Sequence, residues 1–388
     1  MLRLDNIVRH YDWGSSTFIP RLLGRTPDQR PWAELWMGAH ESAPSTVLLG
    51  DQRVPLDALV RRDPEAVLGP ATVQRLGPRL PFLFKVLAAD RPLSIQAHPD
   101  REQARAGFER ENAAGIAIDA AHRNYRDDNH KPELIVALTP FTALKGFRDP
   151  EAIARELERL QEPMLAPLVE ALRGPDGLRV FFETLMTATE PSMLAAVASA
   201  LHDRSDARAR WTRELVSQHP TDPGALAPLF LELVELAPGE ALFLPARELH
   251  AYLRGAGLEL MASSDNVLRG GLTSKHVDVP ELLATLRFEP SPPRVLEPQP
   301  TGFGALLYPT PTEEFALVRL ELAGRHQLEA RATPAIALCI SGSLTADGPS
   351  PGTLKAGDSV LLPAGTPALA LEGQAVLWLA EVPTRSPA

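Results

Sequence analysis

The chain has 388 residues, of which 44% are hydrophobic and 23% charged, a composition typical of globular proteins. Because this length exceeds what one compact core usually accommodates, we expect two or three domains. The net charge of -10 argues against a surface that binds nucleic acid in general, so an anionic ligand would need a local cluster of basic residues. The single cysteine, Cys339, excludes an intrachain disulfide and favours a cytoplasmic location. Nowhere do 18 uncharged apolar residues follow one another, so no membrane span is expected.

Short apolar runs, ended by prolines and glycines, predict a chain that is mainly β. Residues 80–100 predict two strands with a break near 90–92, and 134–138 and 231–236 predict two more.

A helical region begins at Asp149, which is a candidate N-cap followed by a proline. Helical spacing of apolar residues continues at 191–201 and 207–216. Five prolines between 289 and 301 predict a linker, with strands and turns beyond it. We predict a metal-binding β domain formed by residues 1–148 together with 229–290. A helical insertion covers 149–228, and a C-terminal β domain covers 291–388.

An internal repeat relates the two β domains. The segments 239–250 and 357–368 each begin with a glycine and have a proline six residues later. Each segment ends five residues after its proline, the first at His250 and the second at Ala368. Each copy predicts a turn, a buried strand and a second turn. The spacing resembles the second motif of cupin jelly rolls, whose last position is a metal-binding histidine. We therefore predict two cupin-type jelly rolls, of which only the first keeps the histidine. Chance repetition of a common strand ending is the alternative.

Candidate metal ligands come from three predicted strands. Strand alternation places Gln96 and His98 on one polar face, Glu133 stands at the entrance of the strand 134–138, and His250 ends the repeat. Two imidazoles, one carboxylate and one amide oxygen suit zinc, and also manganese, iron or cobalt, and leave open positions for a substrate. Taken alone, the Gln96/His98 pair is better explained by hydrogen-bonded core positions or a solvent-facing edge, and Glu133 by a solvated turn.

A polar loop follows the predicted strand that starts at Gly257. It carries Asp265, Asn266, Arg269 and Lys275, a mixture suited to a phosphorylated, hydroxyl-rich ligand. An exposed loop with ordinary charges is the alternative. Four of the five lysines of the chain fall in the segments that carry these candidates.

Several motifs carry a resemblance to one family. In chain order they are 11–14 (YDWG), 34–38 (ELWMG), 80–87 (LPFLFKVL), 93–100 (LSIQAHPD), 129–133 (NHKPE), 250–253 (HAYL) and 261–275 (MASSDNVLRGGLTSK). They closely resemble type I mannose-6-phosphate isomerases, which are zinc-dependent aldose-ketose isomerases built on the cupin fold. The resemblance covers the sheet portions of about the first 290 residues and is loose beyond them.

The resemblance implies one divalent metal ion, with zinc as the first choice, bound by Gln96, His98, Glu133 and His250. It also implies that Arg269 is an active-site residue. Residues expected to line the sugar-phosphate pocket are Lys85, Ser94, Lys275, Trp13 and Tyr252. Among candidates for the proton carrier we rank Lys131 first, because it lies beside the metal, with His130 and Asp265 as alternatives.

The implied reaction interconverts mannose 6-phosphate and fructose 6-phosphate through a cis-enediol. A non-catalytic sugar-phosphate-binding cupin is one alternative, and another cupin enzyme, such as a metal-dependent oxygenase or a glucose 6-phosphate isomerase, is a second. The predicted partner is a small sugar phosphate, without nucleic acid or membrane, and a cytoplasmic monomer is expected.

Overall fold

Two antiparallel sheets contain the strands of the computed structural model, which describes residues 1–347 and 352–384. The strands up to residue 271 are β1 (Leu2–Asp5), β2 (Ile7–Arg9), β3 (Glu34–Met37), β4 (Thr46–Leu49), β5 (Gln52–Pro55), β6 (Phe82–Ala89), β7 (Ile95–Ala97), β8 (Glu133–Ala137), β9 (Phe141–Phe147), β10 (Leu231–Leu236), β11 (Ala241–Leu244), β12 (His250–Ala262) and β13 (Leu268–Gly271). The later strands are β14 (Val295–Leu296), β15 (Gln299–Pro300), β16 (Ala305–Tyr308), β17 (Ala316–Leu328), β18 (Ala335–Asp347), β19 (Gly352–Lys355), β20 (Ser359–Leu362) and β21 (Leu369–Glu381). The mainly β prediction is confirmed.

Helices lie between the strands and in one continuous insertion. They are α1 (Phe18–Leu22), α2 (Leu56–Arg62), α3 (Pro64–Leu68), α4 (Pro70–Leu76), α5 (Arg101–Ala113), α6 (Pro150–Glu158), α7 (Ala166–Arg173), α8 (Gly177–Ala188), α9 (Pro191–Ala200), α10 (Ala207–Gln218), α11 (Ala227–Phe230) and α12 (Val279–Thr285). Short 3-10 helices occupy Pro163–Leu165, Pro223–Leu226 and Gly302–Gly304. In the described part of the chain, no helix combines the length and apolarity that a membrane crossing requires.

The first sheet is organised around the long strand β12. Its second half pairs with β6 on one side and β8 on the other, and its first half pairs with β7 and β9. A register shift between Tyr252 and Arg254 separates the two halves. Because such an irregularity bends a strand, β12 contributes to both faces of the roll and brings β7 and β8 to its two sides.

The helical insertion packs against the back of β7. Asp149 caps α6, as predicted, by accepting a hydrogen bond from the backbone N–H of Ala152 at 2.9 Å. The apolar faces of the inserted helices form one core cluster with Ile95 and Ala97. Full burial of a large apolar side chain contributes about 1.5–3 kcal/mol, so this packing fixes β7 firmly. Alternation then turns Gln96 to the opposite face, inside the roll.

The second sheet joins the two ends of the chain. Its strand order is β15-β16-β17-β21-β18-β20-β1-β4-β5, and Leu2 of β1 lies opposite Leu361 of β20. Strands near the N-terminus thus hydrogen-bond within the C-terminal sheet, a pairing that the sequence did not indicate. The three predicted domain ranges stay a prediction. The segment 289–301, predicted as a linker, contains the short strands β14 and β15.

The repeat has the structure that its spacing predicts. Gly239 and Gly357 occupy the turns before β11 and β20 with φ of 93° and 88°, a backbone region that favours glycine. After each proline and a second turn, β12 begins at His250 and β21 begins at Leu369. The two copies are therefore equivalent, and only the first carries an imidazole at its end.

Candidate active site

Three predicted metal ligands meet at one point inside the first roll. His98 follows β7, Glu133 opens β8 and His250 opens β12, and all three side chains are buried. The Nε2 atom of His98 lies 3.3 Å from Oε1 of Glu133, and Nε2 of His250 lies 3.4 Å from Oε2. The two imidazole centroids are 5.1 Å apart. His98 and His250 are thus close enough to share one ion, as the sequence predicted.

The protonation pattern of the two histidines fits a metal ion. Nδ1 of His98 lies 2.7 Å from the carbonyl oxygen of Asn266, and Nδ1 of His250 lies 3.2 Å from that of Glu248. Since a carbonyl only accepts, each Nδ1 donates and each Nε2 keeps its lone pair. Both Nε2 atoms are buried without a hydrogen-bond partner among the described residues, and both face the carboxylate of Glu133. Two lone pairs and a carboxylate aimed at one point form a suitable donor set for a divalent cation.

The electrostatics keep these ligands in their metal-binding forms. Burial, together with the nearby charge of Lys131, lowers the pKa of His98 to about 4. For Glu133, burial alone would raise the pKa, but Lys131 and His98 outweigh it and hold the pKa well below its usual range. The Lys131 ammonium lies 3.0 Å from Oε1 of Glu133. At neutral pH the site therefore offers the neutral imidazole of His98 and the ionised carboxylate of Glu133.

Strand register places Gln96 and Arg269 beside this cluster. Gln96 in β7 lies opposite His250 in β12 and opposite Arg269 in β13. Directly opposite residues of antiparallel strands point to the same face, so the three side chains form one row. This register supports Gln96 as a fourth ligand and Arg269 as its neighbour, while their roles stay predictions.

A cluster of three basic side chains lies at this edge of the site. Burial, and then the charge of Arg126, lower the pKa of Arg269. Partial burial lowers the pKa of Lys275, and the charges of Arg269 and then Arg126 lower it further. The backbone N–H of Arg126 donates to Oδ1 of Asn266 at 2.7 Å, which connects it to the segment just before β13. Arg269 lies in β13, so at this residue the predicted polar loop is a strand. Arg126 escaped sequence analysis, because a single arginine just before the 129–133 motif has no distinctive spacing.

Lys85, predicted to contact the sugar phosphate, lies instead in a buried network of acids. Its ammonium is 2.8 Å from Oε2 of Glu259, 3.5 Å from Oε1 of Glu34 and 5.0 Å from the centre of the Trp36 ring. Burial alone would lower the pKa of Lys85, but Glu259 and Glu34 raise it above its ordinary value. Because the ammonium of Lys85 already pairs with two carboxylates, these contacts argue against phosphate binding by Lys85. Its role in phosphate binding stays a prediction.

The remaining pocket candidates lie at different depths. Tyr252 is buried against Phe141, and burial, together with the nearby Glu259 carboxylate, raises its pKa well above the usual value. Trp13 is half-buried and packs against the same apolar cluster. Ser94 is half-buried directly before β7. Substrate contact by these residues stays a prediction.

The candidates for the proton carrier each have an acid or base partner. Nε2 of His130 lies 2.7 Å from Oε1 of Glu314, and Oδ1 of Asp265 lies 3.2 Å from Nε2 of His40. For Asp265, burial raises the pKa, but His40 and then Lys131 outweigh it and lower it. The sequence indicated neither Glu314 nor His40, since both come from segments far from the motifs of their partners.

Known proteins place this site in a family. Residues 1–150 match the family model of the phosphomannose isomerase type I catalytic domain. The mannose-6-phosphate isomerase of Escherichia coli (strain K12) is 42% identical over 383 residues, which cover 96% of this chain and 97% of that protein. The chain belongs to the mannose-6-phosphate isomerase family. The family member from Bos taurus is 34% identical and covers 89% of each chain.

Solved structures of family members have the same fold. A mutant phosphomannose isomerase from Salmonella typhimurium superposes with a TM-score of 0.91 at 39% identity, covering 98% of both chains. A zinc-bound holo mannose 6-phosphate isomerase gives a TM-score of 0.91 at 38% identity, also over 98% of both chains. The resemblance and the fold class predicted from the sequence are confirmed.

Proposed function

We propose that this protein is a metal-dependent isomerase that interconverts mannose 6-phosphate and fructose 6-phosphate. The observation that carries the proposal is the buried His98–Glu133–His250 cluster, in which two imidazole lone pairs and a carboxylate face one point. Family membership supports the substrate. Structural zinc sites are typically closed by thiolates, whereas this set contains none, and catalytic zinc can expand to five ligands, which leaves a position for a sugar oxygen even with Gln96 bound.

The metal is proposed to be a single zinc ion, with Gln96 as a fourth ligand beside His250. A divalent ion bound there supplies a Lewis acid for the sugar oxygens at which charge develops. Glu133 contributes one negative charge, so the loaded site would keep a net positive charge.

The chain's own residues supply the proton chemistry. Moving a proton between C2 and C1 through a cis-enediol requires a group that can take it from one carbon and return it to the other. Lys131 is our first candidate, because its Nζ lies 3.0 Å from Glu133 and so at the edge of the metal cluster. His130 and Asp265 remain the alternatives.

The phosphate is proposed to bind at the basic cluster of Arg269, Lys275 and Arg126. Arginine presents a planar fork of donors that suits phosphate oxygens, and Lys275 adds an exposed ammonium. Binding energy from the phosphate would orient the reacting carbons, so mannose without phosphate is expected to be a poor substrate.

The test is an isomerase assay of the purified protein. The protein should form fructose 6-phosphate from mannose 6-phosphate. This activity should be lost after treatment with a chelator and return when zinc is added. Arg269→Ala should keep its zinc but lose turnover. Unchanged activity after complete metal removal would refute the metal-dependent mechanism. Binding of mannose 6-phosphate without any product would instead identify the alternative, a non-catalytic sugar-phosphate-binding cupin.

A cytoplasmic monomer remains part of the proposal. The single cysteine supports the reducing compartment. Light scattering of the purified protein should give a mass near 42.1 kDa, and a mass of twice that value would show that the monomer prediction is wrong.

A further inference from the structure

The second roll, which has alanine in place of the metal histidine, reaches the active site through one carboxylate. Glu314 lies just before β17, and its side chain is buried between the rolls. Its Oε1 lies 2.7 Å from Nε2 of His130 and 2.5 Å from Nη2 of Arg101, and its Oε2 accepts from the hydroxyl of Thr312. Every oxygen of this acid is therefore engaged.

The partners of Glu314 flank the metal cluster on both sides in sequence. His130 precedes Lys131 and the metal-binding strand, and Arg101 follows His98 at the start of α5. For Glu314, burial alone would raise the pKa, but hydrogen bonds from His130 and Thr312 outweigh it and lower the pKa to about 2. At neutral pH an anion thus joins the two segments.

An ionised carboxylate determines which imidazole nitrogen carries the proton. Nε2 of His130 also lies 3.0 Å from Nη2 of Arg101, but that guanidinium nitrogen is closer to Oε1 of Glu314, at 2.5 Å. A carboxylate only accepts, and two lone pairs repel each other at 2.7 Å, so the imidazole nitrogen must donate to Glu314. Neutral His130 then has its proton on Nε2. Nδ1 is left with the lone pair. A carboxylate behind an imidazole serves this orienting purpose in catalytic triads, where the wrong tautomer abolishes most of the activity.

We infer that Glu314 is a positioning residue of the active site, through which the C-terminal roll holds His130 as the Nε2–H tautomer and leaves Nδ1 free to exchange a proton with the substrate. This inference rests on the proposed isomerase function for its effect on turnover, with His130, named above as an alternative to Lys131, taking part in the proton transfer. The tautomer itself is a property of the resting protein. If Glu314 only held the two rolls together, its ion pair with Arg101 would be sufficient for that purpose.

The first test is the tautomer of His130 in the zinc-loaded wild-type protein. Long-range ¹H–¹⁵N spectra of labelled imidazoles distinguish Nε2–H from Nδ1–H, and His130→Ala assigns the signal. We expect Nε2–H in the wild type and a mixture in Glu314→Ala. A wild-type Nδ1–H tautomer would overturn the inference. This result does not depend on catalysis, so it decides about Glu314 even if wild-type protein fails to isomerise mannose 6-phosphate and the proposed function fails.

The second test is a double-mutant cycle on the zinc-loaded full chain. General acid–base catalysis contributes typically 10²–10⁴-fold, so misplacing its group in Glu314→Ala should lower kcat about 10- to 100-fold, with KM and zinc content unchanged. In the His130→Ala background the same substitution should change kcat by less than about twofold, because its effect passes through His130. Equal losses in both backgrounds would leave Glu314 a purely structural role and overturn the inference.

Two further variants separate positioning from folding. Glu313→Ala is the matched control, because Glu313 is the neighbouring acid and forms an ion pair with Arg101 at 3.7 Å. This variant should keep wild-type kcat. Glu314→Gln keeps an acceptor oxygen without the charge and should retain more activity than Glu314→Ala. If Glu314→Ala does not fold, Glu314→Gln takes its place in the cycle, and a Glu314→Gln loss that persists in His130→Ala would again contradict the inference.

Discussion

Replacing Lys85 by methionine distinguishes a structural role of this lysine, the neutralisation of buried acids, from the predicted role in phosphate binding. Methionine has nearly the same length and is apolar, so the substitution removes the charge and leaves the packing. In the structure the ammonium serves two buried carboxylates, Glu259 at 2.8 Å and Glu34 at 3.5 Å, with side chains only 5% and 8% exposed. The substitution therefore leaves two acids without their shared cation.

The expected cost follows from that burial. Removing one partner of a buried ion pair costs about 3–5 kcal/mol, since the remaining charge is uncompensated. For a chain of this length 1 kcal/mol corresponds to at most about 2 °C in the thermal midpoint, so a decrease of roughly 6–10 °C is the upper limit. Lys85→Met combined with Glu259→Gln should recover part of the loss, because Glu34 keeps its hydrogen bond from Trp36 at 2.8 Å.

The assay is thermal unfolding followed by circular dichroism, together with KM for mannose 6-phosphate. Lys355→Met is the matched control, because Lys355 is exposed in the second roll. The reasoning would be refuted if Lys85→Met had the same thermal midpoint as the control while its KM rose about tenfold. That result would show a lysine free to bind phosphate, as the sequence predicted.

Three further outcomes are expected. His98→Ala should leave less than one equivalent of zinc bound, measured by elemental analysis, with activity at background. Glu314→Gln should be less stable than wild type at pH 7. Because the folded pKa of Glu314 is depressed from 4.5 to about 2, this difference in stability should shrink as pH falls through that window. Urea unfolding midpoints at several pH values check the prediction, and a difference that stays constant with pH would contradict it. Cys339 should not react with a thiol reagent at pH 8 until the protein unfolds, because burial raises its pKa to about 11.

The metal cluster was predictable because its residues stand in local patterns. Alternation along β7 separates Gln96 and His98 from the apolar Ile95 and Ala97, and the glycine-proline spacing leads to His250. These are properties of a few consecutive residues, and the structure retains them. The residue patterns suggested the ligand set and the family resemblance strengthened it. The structure brings His98, Glu133 and His250 together, while their role as ligands stays a prediction.

The supporting residues were not predictable in the same way. Glu259 lies in the apolar strand β12, where a lone acid between Leu258 and Leu260 is the only local sign of a buried partner. Its match with Lys85 depends on the register between β12 and β6, which no short segment encodes. Glu314 is more remote still, because its contact with His130 exists only when the two rolls are docked.

The pairing of β1 with β20 has a consequence for synthesis on the ribosome. Leu2 is synthesised 359 residues before its partner Leu361. Until then the edge of β1 that β20 covers is open to pairing with other nascent chains, whereas β4 is already paired with β1 and β5. A protein truncated before residue 359 would keep every metal ligand and still present that unpaired edge, so we expect such fragments to aggregate or to require a chaperone.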